Sequence, residues 1–175
     1  MVEPTIVPIH ITCFGVMKLV YQLHAPFSVR RVSFAYMKST DVIKRDHEAA
    51  KELFEKYKAA SSEDRAALES DIFKALATHE KMEDDYFYPA LDGKLDLSEF
   101  QEAEDEQHTL EEQVTEIQAM EADAREQALL DAMDKVLAHA EREESFFPDA
   151  EAALGEEASE ALGEQMEPNS AAANS

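Results

Sequence analysis

Four amphipathic stripes, each carrying one histidine, constrain this chain more than any other feature. Ile43, His47, Ala50, Phe54 and Tyr57 recur at three- and four-residue steps after the N-cap oxygens of Ser39, Thr40 and Asp41, which predicts a helix over about 40–60. Ser61 and Ser62, followed by Glu63 and Asp64, open a second stripe of Leu68, Ile72, Leu76, His79, Glu83, Tyr86 and Ala90 that stops at Asp92 and Gly93. A weaker third stripe, with an unusually polar inner face, runs from Ser98 and Phe100 through His108, Val114 and Ile117 to about Met120. The last, Leu129, Met133, Val136, His139, Glu143, Phe146 and Phe147, runs into Pro148 and fades near Gly155. Four such helices joined by short connections predict an all-α, up-down-up-down antiparallel four-helix bundle.

The histidines His47, His79, His108 and His139 are separated by 32, 29 and 31 residues. An α-helix rises ~1.5 Å per residue, and the legs on either side of the turns near Ser61, Gly93 and Asp123 nearly match, so all four imidazoles are expected within about one turn of the same level. Two of them have a glutamate one turn later, His79 to Glu83 in HEKME and His139 to Glu143 in HAERE, and that spacing puts both side chains on one helix face. Aromatic residues and Pro follow both units, as DDYFYP and ESFFP, so the second and fourth helices read as an imperfect internal repeat.

Four imidazoles and two carboxylates could hold two metal ions, because carboxylates bridge, and mixed nitrogen and oxygen ligation suits iron or manganese. A lone helical histidine is most often a satisfied or solvent-facing side chain, but Glu83 and Glu143 stand where Leu or Val is expected. A buried carboxylate without a partner is costly, and no basic residue falls on these core stripes, so coordination is the simplest compensation. Glu80 directly follows His79 and is an extra ligand candidate, turned ~100° away by helix geometry. Glu112 keeps the one-turn spacing from His108 and reads better as a solvated face, and Tyr57 is a candidate for a hydrogen bond to a ligand.

Composition narrows the function. The chain has 175 residues with 39 Asp and Glu against 16 Lys and Arg, a net charge of −23, which repels nucleic acid and anionic membrane faces. The single cysteine, Cys13, excludes intramolecular disulfides, iron–sulfur clusters and Cys-rich zinc sites. No stretch of 18 uninterrupted apolar residues exists, so no transmembrane helix is expected, and the protein is placed in the cytoplasm. Residues 1–38 carry four basic residues against the lone acid Glu3, with Pro4, Pro8 and Pro26, and read as a leader distinct from the domain: a mis-assigned start with Met37 the real one, a targeting segment, or an ordered addition. The domain proper is 39–155, and the acidic, Ala-, Ser- and Asn-rich residues 156–175 read as a disordered, solvated tail.

Over about residues 39–155 the sequence resembles the hemerythrin-like, or HHE cation-binding, family, on DHEAA around His47, HEKME followed by FYPAL, EDEQH ending at His108, and HAEREESFFP. The resemblance implies a non-haem di-iron centre, with two iron ions held by His47, His79, His108 and His139 as terminal ligands and Glu83 and Glu143 as bridging carboxylates. Oxygen-carrying hemerythrins have a further histidine on the third helix where this chain has Glu112, and H-x-x-x-x-D on the fourth where it has HAEREE. The four-His, two-Glu set is instead similar to the di-iron domain of proteins that repair iron–sulfur clusters after nitrosative stress, although the leader with Cys13 does not resemble their Cys-containing N-terminal domain. The implied function is binding or sensing of dioxygen or nitric oxide, or iron buffering, in oxidative or nitrosative stress, without a need for turnover. A di-iron oxidase or peroxidase acting on oxygen or peroxide is the enzyme alternative, and a metal-free acidic helical interaction module is the third.

Overall fold

The computed structural model describes residues 37–95 and 98–174, and the expectations for the leader lie outside the described residues. Four long rods form the bundle: α1 (Ser39–Ala59), α2 (Ser62–Met82), α4 (Ser98–Gln118) and α5 (Ala122–Leu154). α1 packs on α2 and on α5, while α4 packs on α5 and on α2, which closes the expected four-membered ring. Among the described residues no helix is long and apolar enough to cross a membrane.

Local chemistry sets the helix ends. Ser61 caps α2, its hydroxyl accepting from the Asp64 N–H at 3.3 Å, and Glu63 and Asp64 in the first turn complement the helix dipole. Ser39 and Thr40 were expected to cap α1, yet both are buried inside its first turn, where Thr40 Oγ1 donates to Glu151 on α5 at 2.7 Å. At its C-terminal end α2 widens into a π-turn, Glu83–Phe87, and continues as the single turn α3 (Tyr88–Leu91). Pro89 has no N–H to offer the Asp85 carbonyl, so an α-helical rung is missing just where the ladder widens. α5 runs through Pro148 and is stopped by Gly155, whose φ of 78° suits a residue without a side chain.

The buried face of α4 corrects the third stripe. Its inward residues are Phe100, Ala103, Gln107, Leu110, Val114 and Ile117, an unbroken alternation of three- and four-residue steps that excludes His108. The chain beyond Gly155 is a second correction, because residues 156–174 are packed structure rather than a solvated tail. α6 (Glu156–Met166) buries Ser159, Leu162, Gly163 and Met166 against α1, and that spacing is itself a helical stripe, hidden by the acidic and small residues around it.

Two hydrophobic clusters divide the interior. One gathers Ile43, Met82, Phe87, Leu91, Phe100, Phe146 and Phe147 with Leu162 and Met166 of α6, and the other gathers Phe54, Tyr57, Ile72, Phe73, Val114, Leu129 and Met133. Between the two clusters along the rods lie Asp46 and His47 on α1, His79 on α2, Gln107 on α4 and His139 and Glu143 on α5. At the seam between α6 and α1 a methyl on Gly163 would stand 2.0 Å from the Met37 carbonyl oxygen, a backbone atom with no room to retreat. Gly163→Ala is therefore expected to cost about 1–3 kcal/mol of stability. A thermal melt beside the exposed control Glu164→Ala, which should melt like the parent, checks this.

Candidate metal centre

His47 on α1, His79 on α2, Glu83 at the first residue of the π-turn and Glu143 on α5 bring ligand atoms to within 4.8 Å of one another. His47 Nε2 lies 3.3 Å from Glu143 Oε2, His79 Nε2 lies 3.1 Å from Glu83 Oε1, and the two imidazoles meet edge to face at a centroid distance of 4.9 Å. Both carboxylates are fully buried, at 0% exposure. His139, also buried, borders this group with its Nε2 3.1 Å from Gln107 Oε1.

All three imidazoles are oriented alike. Each points Nε2 inward and Nδ1 at a carboxylate from a neighbouring helix: His47 at Glu144 (2.9 Å), His139 at Glu106 (3.3 Å) and His79 at Asp46 (3.6 Å, an ion-pair contact longer than a hydrogen bond). A carboxylate behind Nδ1 favours the tautomer that leaves Nε2 free to coordinate, the usual arrangement behind metal-bound histidines.

The electrostatics describe a cage short of positive charge. Burial, reinforced by the adjacent charge of Glu143, pushes the Glu83 carboxyl well above the usual carboxylate range. Burial also opposes the charge on Glu143, but His47, His79 and His139 outweigh it and hold that group low. His47 stays above the ordinary imidazole range despite its burial because Glu143 and Glu144 flank it, whereas burial holds His79 below. A metal bound here must compete with protons for these groups.

Among the described residues, both oxygens of Glu83, Oε2 of Glu143, Nε2 of His47, Nδ1 of His79 and Nε2 of Gln107 are buried without a well-formed hydrogen bond, although Glu83 Oε1 and Glu143 Oε2 lie within 3.3 Å of imidazole nitrogens. Buried acceptors left unpaired are expensive, and their convergence between imidazole nitrogens is what a hard or borderline cation would satisfy. The residues present therefore fit a metal. His47, His79, Glu83 and Glu143 would hold it, with His139 in reach at the border.

His108, expected as the fourth imidazole, is not in this group. Its side chain is 56% exposed and sits with Asp84 and Glu111 on the surface. One residue on a helix is ~100°, and the continuous apolar stripe of α4 commits Gln107 to the interior, so its neighbour turns out. Glu80 remains outside the group and is pushed up to about 7 by burial, with Glu111 and Asp84 adding repulsion, while Glu112 is exposed as expected. Tyr57 donates to Glu69 at 3.0 Å, away from the ligands. The tyrosine at the site is Tyr88, whose hydroxyl lies 3.3 Å from Glu143 Oε1 and 3.4 Å from Gln107 Oε1. Asp46, directly before His47, and Tyr88, in FYPAL, stand inside the motifs quoted above, so position in the motif was the signal for both.

Beside the imidazoles opens a mainly apolar chamber of about 60 Å³, walled by Ala50, Leu53, Leu76, Leu110, Val136 and Ala140, with His47, His79 and His139 at its polar end. It admits a few atoms, not an organic substrate.

A four-helix bundle with a buried cage of imidazoles and carboxylates defines a bundle protein that could hold a metal. Residues 38–150 match the family model described as the Hemerythrin HHE cation binding domain, and the chain belongs to that family. Neither the curated proteins nor the solved structures gave a significant match.

The two carboxylates should respond differently to loss of charge. A carboxyl raised in the folded state contributes full stability below its unfolded value and loses it as pH rises through the folded value. Glu83→Gln should therefore make the apo protein more stable at pH 8 than the parent, by about 1–3 kcal/mol, and change little at pH 4. Glu143→Gln removes the anion that balances His47 and should lower apo stability by a similar amount. Both should lose metal, so apo melts at the two pH values and metal content together check the assignment.

Proposed function

We propose that this chain is a non-haem di-iron-binding protein whose bound iron takes up a small ligand, dioxygen or nitric oxide, or is itself held in reserve under oxidative or nitrosative stress. The observation that carries the reading is the pair Glu83 and Glu143: fully buried, on different rods, with unpartnered oxygens facing imidazole nitrogens. Two carboxylates from different rods offer four oxygens between imidazole nitrogens, and a pair that can bridge suits two ions. The family match supports cation binding. When bound, iron would supply a site for a diatomic ligand.

This chain's own residues do the rest. Glu144 and Glu106, within hydrogen-bond reach of Nδ1, and Asp46, 3.6 Å away, favour the tautomer that leaves Nε2 facing inward. Ala50, Leu76, Val136 and Ala140 keep water scarce and match an uncharged diatomic better than an anion. The Tyr88 hydroxyl restrains one oxygen of Glu143.

One observation favours a di-iron oxidase or peroxidase as second reading: Glu80 lines the same chamber with its carboxyl raised to about 7, where it can take up or release a proton near neutrality.

The test is anaerobic reconstitution with ferrous iron, then metal analysis and absorption spectra under dioxygen, nitric oxide and peroxide. Close to two retained ions per chain and a spectral change reversed by removing the gas are expected. Retention of less than about one ion would contradict a dinuclear site, and catalytic consumption of peroxide would replace this reading with the second.

A further inference from the structure

The family match ends at residue 150, and the chain beyond it returns to the metal cage. α6 seats on α1, where Ser159 Oγ meets Ser39 Oγ at 3.1 Å and Gly163 lies against Met37. After α6 the chain crosses α1 in two short 3-10 turns, Glu167–Asn169 and Ala172–Asn174. Arg45 holds this crossing from below, with Nη1 on Glu167 Oε1 at 3.0 Å and Nη2 on Ser170 Oγ at 2.9 Å. Its next neighbour, Asp46, is 2% exposed and accepts three hydrogen bonds from the crossing: from Ser170 Oγ at 2.6 Å, the Ala171 N–H at 2.7 Å and the Ala172 N–H at 3.1 Å.

The same Asp46 carboxylate is the one behind His79 Nδ1. The carboxylates behind His47 and His139 are Glu144 and Glu106, both on rods of the bundle. His79 differs, because its carboxylate is fixed by a segment beyond the matched domain. Ala171 also contributes to the wall of the chamber, beside Ala49 and Ala75.

We propose that residues 167–174 are a strap built onto the bundle, which locks Asp46 behind His79 as a positioning residue and closes the chamber between α1 and α2. The proposal rests on His79 being a metal ligand. A free Asp46 carboxylate would be pulled by solvent and by other donors, and an imidazole without its outer partner is a weaker and less directed ligand. The strap supplies three donors to one carboxylate and holds its Oδ2 3.6 Å from Nδ1 of His79. The metal's holding strength on the α2 side is thereby tied to the seating of a segment at the far end of the sequence.

The test uses the full chain loaded with cobalt(II), whose visible spectrum reports its ligands, and follows the rate at which a chelator strips the metal. Loosening the strap with Glu167→Ala plus Ser170→Ala should speed stripping several-fold and shift the cobalt bands. Asp46→Asn should speed it about tenfold or more. Combining the two should give no more than Asp46→Asn alone, since both act through one contact, whereas adding Glu144→Gln, which acts on His47, should multiply the effect. Asp46→Glu should restore part of the retention, which a packing role alone would not produce. Unchanged stripping in the strap variant, or strap and Asp46→Asn effects that multiply, would overturn the strap while leaving the metal centre standing. A parent chain that takes up no cobalt would overturn the centre and the strap with it.

Discussion

Two carboxylates, Glu83 and Glu143, are enclosed at the centre of the bundle with no Lys or Arg paired to them among the described residues, and the rest of the structure answers to that burden. A hydrophobic core with Leu at both positions would fold with less difficulty. The protein instead surrounds the pair with imidazoles and keeps an aromatic cluster on the α3 and α6 side and a mixed Phe, Ile and Met cluster on the other. These clusters supply the apolar burial that makes so polar a middle layer tolerable.

The layer is organised from outside inward. Each imidazole is aimed by a carboxylate from an adjacent rod, so the rods are tied in sequence: α1 to α5 through His47 and Glu144, α2 to α1 through His79 and Asp46, and α5 to α4 through His139 and Glu106. The same contacts that join helices also set which nitrogen faces the centre. Fold and site are therefore one network, and a change in helix rotation of a single residue alters the ligand set, as α4 demonstrates by presenting Gln107.

Much of this was legible in the sequence. The first, second and fourth stripes, the order of the rods and the pair His79–Glu83 follow from spacing alone, and His47, His79, Glu83 and Glu143 do converge. His108 misled because a histidine at matched height is conspicuous, while the rotation of α4 is decided by Ala103, Gln107 and Leu110, residues with no chemical signature. The residues after Gly155 misled in the opposite way: their acidic and small side chains conceal a four-residue stripe whose partner surface on α1 is visible only once the bundle is assembled. Asp46 lies inside a legible motif, but its contacts with Ser170, Ala171 and Ala172, more than 120 residues away, are encoded by no local pattern.

The most direct measurement is anomalous diffraction at the iron edge from crystals of the iron-loaded protein. A dinuclear centre requires two iron positions between Glu83 and Glu143, with Nε2 of His47 and His79 among their ligands. Iron bound only at the surface group of Asp84, His108 and Glu111, with Glu83 and Glu143 left facing each other unbridged, would contradict it.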